Sequence, residues 1–324
     1  MSGRIVVTGG SGVVGSALIR HLVEAGKAPL ALSRSSAADR VLSALGATPV
    51  RGDILEPHTL VGAFAGAGIV YHVAGVNAMC LDDPAPMFRA NVMGSRNVVA
   101  ACRQVQAGRL VYTSSAATIG ETGGAVGSER TVHRGWFLSD YEHSKYLAER
   151  AVFAEAGELA VVSVNPSSVQ GPGRATGTGQ LILDLVNGRL PFLVDTRVSI
   201  VDVDDCARGH LLAGERGVAG SRYVLNSFTL DLRQAVSMLE ELLGRSVRVR
   251  FAPAWFASAG ARAVGTAARA VGRRPAVCPE MVRTLRHGHV YDGSLAEREL
   301  GLTYSGARAL LERLLAWFSD EGLM

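Results

Sequence analysis

The sequence predicts an α/β fold, a doubly wound parallel sheet followed by a smaller, mostly helical C-terminal domain. Three observations predict it. Short β-branched runs alternate with longer segments of helical period as far as about residue 172. The runs are nearly all apolar, as strands are when helices cover both faces of a sheet. A glycine-rich turn, TGGSGVVG, stands at the first strand-to-helix junction.

The elements follow in order. RIVVT (4–8) reads as a strand, and 13–26 as a helix of apolar period that ends on Gly26, a C-terminal stop signal. PLALS (29–33) is a second strand, 37–45 a helix, and TPVRG a third strand. A helix near 58–64 leads into the strand GIVYHVAG, and NVMGSRNVVAACRQ (91–104) is helical. GRLVYTSSA (108–116) is the fifth strand, 141–156 a helix, and LAVVSVNP (159–166) the sixth strand. The rhythm then changes. GPGRATGTG is a loop, SIVDVDDCARGHLLAG and SRYVLNS return as sheet and helix pieces, and the chain from about Thr229 is mostly helical. The Ala/Arg-rich stretch FAPAWFASAGARAVGTAARAVGRRP could lie on a membrane surface, but a cap-domain helix with a solvated basic face is the commoner use of such a pattern. No internal repeat is visible.

Composition excludes several classes. The chain has 324 residues, nearly half of them hydrophobic, enough to bury a sizeable core. Its net charge is +4, with the basic residues scattered, so no groove for nucleic acid is expected. Cys80, Cys102, Cys206 and Cys278 are far apart and follow no metal spacing, which reads as four reduced thiols. The apolar N-terminal run is broken at once by glycines and is too short for a leader or a membrane span, so a cytoplasmic protein is expected.

Gly9, Gly12 and Gly15 lie in strand–turn–helix context, where the backbone can approach a pyrophosphate and the helix N-terminus offers N–H groups and a positive dipole end. Val13 and Val14 complete the turn. A glycine triplet alone is a weak signal; at the first junction of a β-α series it is a strong one. This is the pattern of a dinucleotide-binding (Rossmann) sheet. The second strand ends in LALSRSS, without the acidic residue that grips an adenosine ribose. Arg34 stands there instead, and a guanidinium suits a 2′-phosphate, so NADP(H) is preferred and NAD(H) is possible. Asp53 and Ile54 follow the third strand, where a carboxylate can accept the adenine amino group. Val73, Ala74 and Gly75 end the fourth, where small residues let the cofactor lie close.

Tyr141 and Lys145 in YEHSKYLAE are four residues apart, on one helix face. An ammonium favours the phenolate and lowers the tyrosine pKa toward neutrality, which makes it a usable acid or base. The same lysine can bond the nicotinamide ribose. Thr113, Ser114 and Ser115, at the carboxyl end of the fifth strand, offer a hydroxyl for a substrate oxygen. YxxxK alone is common by chance; its order after the glycine turn and TSSA, and before NPSSV, gives it meaning.

On those motifs, with RGDIL, YHVAG, NVMGSRNVV, VYTSSAATIG and SIVDVDD, the chain resembles the extended short-chain dehydrogenase/reductases of the NAD(P)-dependent epimerase/dehydratase family, over essentially its whole length. Within them it is most similar to the dihydroflavonol-reductase-like and hopanoid-associated sugar epimerase-like group. The resemblance implies a catalytic Ser115 (Ser114 being the nearby alternative), Tyr141 and Lys145. It implies an Asn91 that supports the lysine, and Pro166, Ser168 and Val169 facing the nicotinamide carboxamide. It also implies a homodimer formed through two helices, one of them the YxxxK helix. Residues 1–175, with returning segments near 198–228, would bind the dinucleotide; 176–197 and 229–324 would bind substrate. Two departures weigh against a nucleotide-sugar substrate: Arg197 is one residue out of register with the usual diphosphate-binding arginine, and Gln170 replaces the tyrosine of VYGP.

Trp136, Phe137 and Met79 are candidates to line the pocket together with Gln170, core packing being about as good a use for the two aromatics. Among the histidines, His287 and His289 have no carboxylate at metal-ligand spacing, so no metal is expected. Asp202, Asp204 and Asp205 read as caps for a helix beginning near Cys206. The expected activity is reversible NADP(H)-dependent hydride exchange with a ketone or aldehyde of a small hydrophobic molecule. A sugar epimerase or dehydratase with tightly held NAD is the second reading, and a non-catalytic dinucleotide sensor the third.

Overall fold

The structure, a computed structural model, describes residues 3–173, 175, 177–252 and 278–324. The Ala/Arg-rich stretch from residue 253 to 275 lies outside the described residues. In chain order the strands are β1 Arg4–Thr8, β2 Leu30–Ser33, β3 Thr48–Arg51, β4 Ala67–His72, β5 Leu110–Thr113, β6 Val126–Gly127, β7 Val161–Pro166, β8 Ser168–Gln170, β9 Phe192–Val194, β10 Arg197–Asp202, β11 Arg222–Leu225, β12 Phe228–Asp231, β13 Arg250–Ala252 and β14 Val290–Tyr291. The described helices are α1 Val13–Glu24, α2 Ser36–Ala44, α3 Pro57–Phe64, α4 Ala85–Phe88, α5 Gly94–Gln104, α6 Asp140–Ala154, α7 Thr178–Val186, α8 Val203–Arg216, α9 Leu232–Leu243, α10 Pro279–His287, α11 Ser294–Leu300 and α12 Ala307–Asp320.

Seven strands form one parallel sheet in the order β3-β2-β1-β4-β5-β7-β11. The order reverses between β1 and β4, and ligands bind outside the carboxyl ends of strands at such a switch point. Every residue of β7 is buried, as expected for a strand covered on both faces. One face packs Val7, Tyr71 and Val162 against Leu18 and Leu22 of α1 and Ala207 of α8. The other packs Val70, Leu110 and Tyr112 against Leu60 of α3, Val98 of α5 and Ala148 of α6. A third cluster joins α7, α9 and α12 through Leu183, Leu239, Leu314 and Phe318, beside the small sheet β12-β10-β8.

Three expectations are corrected. The helix expected at 91–104 begins as a π-helical turn, Arg89–Met93, before α5 takes over. The helix expected near Cys206 begins at Val203, because the Asp202 carboxylate already accepts from the Asp204 N–H at 2.8 Å; Asp204 and Asp205 lie inside its first turn. Cys80 and Cys278, read as free thiols, form a disulfide with Cα atoms 5.6 Å apart. Their sequence separation of 198 hides the pairing from any spacing rule. Cys102 and Cys206 are free and buried.

Candidate active site at the carboxyl edge of the sheet

The switch point is built first by the β1–α1 turn. Gly9 has φ +72°, and a Cβ there would stand 2.6 Å from the Ala74 nitrogen. A Cβ on Gly15 would stand 2.2 Å from the Gly9 carbonyl oxygen. Both positions therefore need glycine to bring turn, helix and β4 together. α1 starts at Gly12 with no side chain capping its first N–H groups. An uncapped helix N-terminus beside a close backbone turn fits a dinucleotide pyrophosphate. The ends of β1 and β4 are tied by Thr8, whose Oγ1 accepts from the Ala74 N–H at 3.2 Å and meets His72 Nδ1 at 2.7 Å. Burial holds His72 down at about 3, with the Lys145 charge adding to the effect, so the imidazole is neutral.

At the end of β2, Arg34 is 73% exposed, with Nη1 3.6 Å from Asp53 Oδ2. The two expected adenosine-side residues thus face each other, and the guanidinium stays open to solvent. Ile54 points the other way: its Cδ1 is 2.7 Å from where a Cβ on Gly94 would be, and it packs beneath α5. Val13, Val14, Val73 and Val169 are half-buried and pack on the sheet core. Gly75 sits where a Cβ would be 3.2 Å from Asn91 Oδ1 and 3.8 Å from Lys145 Nζ. The end of β4 therefore lies over the lysine.

The α6 helix is launched by Ser139, whose Oγ accepts from the Glu142 N–H. Tyr141 is half-buried in its first turn and Lys145 follows one turn later, 5% exposed. Lys145 Nζ donates to the Thr113 carbonyl at 2.7 Å and to Tyr112 Oη at 3.1 Å. These bonds fix the ammonium at the end of β5, two residues before Ser115. Burial pushes Lys145 down to about 8, against the pull of Glu149. Ser115 begins a single 3-10 turn, Ala116–Ile119, and its Oγ accepts from the Ala117 N–H. Ser114 is buried with an Oγ that has no partner.

Asn91 does not bond Lys145 in this structure. Its amide clamps Val76 through Val76 N–H to Oδ1 (2.7 Å) and Nδ2 to Val76 O (2.9 Å), and donates to Ser144 Oγ. It fixes the β4 exit against α6, and the π-turn that presents it is a frequent feature of functional sites. Thr113 Oγ1 meets His210 Nε2 at 2.8 Å. Beyond β7, Ser168 Oγ meets Thr178 Oγ1, and the buried Gln170 donates to Ser168, leaving its own Oε1 without a partner. Pro166 closes β7.

Of the pocket candidates, Trp136 is 53% exposed, with the Arg134 guanidinium 4.8 Å from its ring centre. Phe137 stacks on His143 at 4.2 Å and touches Tyr146, so it packs on α6. Met79 is half-buried in the loop after β4, next to the Cys80 bridge. Leu147 is 38% exposed on α6, and Glu142 is buried against Arg134.

Sequence reasoning missed a supporting network. The buried Glu149 carboxylate accepts from Asn165, Ser163, Thr118 and Arg222, and Asn165 also donates to the Ser115 carbonyl at 3.3 Å. It was findable, since Glu149 continues the Tyr141/Lys145 face at the next i+4 position. His287 and His289, which had no partner in sequence, meet the Glu121 carboxylate in the fold.

A doubly wound sheet with a glycine-rich turn at its switch point, and a buried lysine joining the end of β5 to α6 at its carboxyl edge, has the architecture of a nicotinamide-dependent oxidoreductase. The model of the NAD-dependent epimerase/dehydratase family matches residues 5–225, and the chain belongs to that family. It is 33% identical over 325 residues to a Synechocystis sp. protein provisionally named as a dihydroflavonol 4-reductase, covering 98% of this chain and 94% of that one. It is 34% identical over 253 residues to a 2-alkyl-3-oxoalkanoate reductase of Stenotrophomonas maltophilia, covering 74% and 76%. The crystal structure of gox2253 superposes with a TM-score of 0.86 at 34% identity, covering 99% of each chain.

Proposed function

We propose that this protein is an NADP(H)-dependent reductase of a ketone or aldehyde carried by a small, hydrophobic molecule, with Ser115, Tyr141 and Lys145 as its catalytic set. When bound, the nicotinamide supplies or accepts the hydride at the carbonyl carbon. Ser115 Oγ and the Tyr141 phenol hold the substrate oxygen, and the phenol gives it a proton in reduction or takes one in oxidation. Lys145 keeps a positive charge one helical turn away and so favours the phenolate that remains. Asn91 positions the loop around Val76 and the Ser144 hydroxyl rather than the lysine.

The observation that carries the reading is the buried ammonium of Lys145, held on the Thr113 carbonyl between the serine strand and the tyrosine helix. A charge taken out of water costs stability unless it is paired, so a buried ammonium in such a place is a candidate for a functional group. The open guanidinium of Arg34 and the lack of an acidic residue at the end of β2 support NADP(H) over NAD(H). The names of the relatives, reductases of a flavonoid-type ketone and of an alkyl oxoalkanoate, support an apolar carbonyl substrate.

Tyr141→Phe tests the assignment. Turnover of NADPH with a carbonyl panel should fall by about 10²- to 10⁴-fold while NADPH binding, read by fluorescence titration, is retained. Turnover equal to wild type would sink the role of Tyr141. The family's epimerase and dehydratase members motivate a second reading, in which the same residues serve a transient oxidation. Protein that purifies with NAD(H) bound and turns over without added cofactor would favour that reading.

A further inference from the structure

Beyond the serine, tyrosine and lysine, a second group of side chains converges: Glu121, His287 and His289. Glu121 follows the 3-10 turn that Ser115 begins; His287 ends α10 and His289 precedes β14. The parallel pairing of Val290 with Val126 brings the two histidines to the Glu121 loop. Between them the chain turns at Gly288, φ +65°, so that both rings meet one carboxylate. His287 Nε2 lies 3.2 Å and His289 Nδ1 2.5 Å from Glu121 Oε1.

Hydrogen bonds alone do not satisfy this cluster. Glu121 is 1% exposed, and its Oε2 has no partner. His289 Nδ1 faces two oxygens, Glu121 Oε1 and Tyr291 Oη at 2.8 Å, with at most one proton to give. Arg134 donates to the Glu121 backbone carbonyl and pairs its guanidinium with Glu142, so the Glu121 carboxylate faces the two histidines rather than an arginine. The three donor atoms lie within 4.8 Å of one another. Zinc ligated at about 2.0–2.2 Å sets tetrahedral donors about 3.3 Å apart. The His287–Glu121 separation already matches, the His289–Glu121 pair has to open by less than about 1 Å, and the two imidazole nitrogens, which set the 4.8 Å span, have to close by about 1.5 Å.

From this geometry we infer that Glu121, His287 and His289 form a binding site for a divalent transition-metal ion of the zinc class. Two imidazoles and a carboxylate are a borderline donor set suited to zinc or cobalt and poorly suited to magnesium or calcium, which prefer oxygen. The ion places positive charge beside the buried carboxylate and takes both imidazole lone pairs. It also joins the α10–β14 segment to the loop that leaves the Ser115 turn.

The test uses the full chain, stripped with EDTA and titrated with Zn(II) in competition with a chromophoric chelator, then with Co(II) followed by visible absorption. The expected result is one Zn(II) per chain and a Co(II) band of four-coordinate character. His287→Gln and His289→Gln should each weaken binding by about tenfold or more, while Tyr291→Phe binds as wild type. Circular dichroism shows which variants are folded. If one histidine variant fails to fold, the other and the wild-type stoichiometry still decide. Substoichiometric zinc in the wild type, or undiminished binding in a folded histidine variant, overturns the site.

Discussion

Lys145 is the residue whose environment most constrains the chemistry. It is buried, its amine bonds one carbonyl and one phenol, and burial lowers it from 10.5 to about 8. At neutral pH it still carries the charge that the proposed role requires. The depressed value also has a consequence for stability. Below about 8 folded and unfolded chains both hold the proton, and above 10.5 neither does. Between those values the unfolded chain binds more protons, so stability rises with pH across that window. The whole rise amounts to about 3 kcal/mol, and it should vanish in Lys145→Met. Urea unfolding of the cofactor-free protein at several pH values between 8 and 10.5, wild type against variant, reads the difference. Identical slopes would show that the ammonium is solvated in the folded chain.

At the scale of elements, the β1–α1 turn was legible because glycines have few other reasons to recur at a strand end. The structure adds the steric cause, the Gly9 carbonyl 2.2 Å from a Cβ on Gly15. Gly15→Ala must push the turn away from β4. It should cost about 1–3 kcal/mol of stability. It should also weaken NADPH binding by about tenfold or more, about 1.4 kcal/mol. Thermal shift with and without NADPH separates the two losses, and a variant that binds NADPH like wild type would remove the turn from the cofactor site. Strands and helices were legible for a similar reason, since apolar period reports burial directly. The π-turn at Arg89–Met93 was not, because an inserted residue leaves the surrounding helical pattern intact. Nor was the Asn91 clamp on Val76, which depends on where β4 ends in space. Glu149 and Glu121 went unread for different reasons. The first lay on a face already recognised, whereas the second finds its histidines 166 and 168 residues away.

Across the whole molecule, the segment from residue 278 is tied back to the carboxyl edge of the sheet by three kinds of bond. Cys278, which caps α10, is bridged to Cys80 in the loop after β4. Glu280, two residues on, accepts from the Cys80 N–H through one oxygen and from the Asp140 N–H, at the start of α6, through the other. Arg283 donates to the Leu138 carbonyl. α10 therefore holds the loop beside Met79 and the first turn of the Tyr141 helix together. Among the described residues no helix is long and apolar enough to cross a membrane. Because the disulfide closes a loop of 198 residues, most of its contribution comes from restricting the unfolded chain. Alkylation of the unfolded, non-reduced protein should label Cys102 and Cys206 alone, and all four cysteines after reduction. Reduction, or Cys80→Ala with Cys278→Ala, should lower the free energy of unfolding by about 2–5 kcal/mol. Four labelled cysteines without reductant, or a urea midpoint that ignores the reductant, would show that the bridge is not formed. The α10 helix would then depend on Glu280 and Arg283 alone for its place at the catalytic edge.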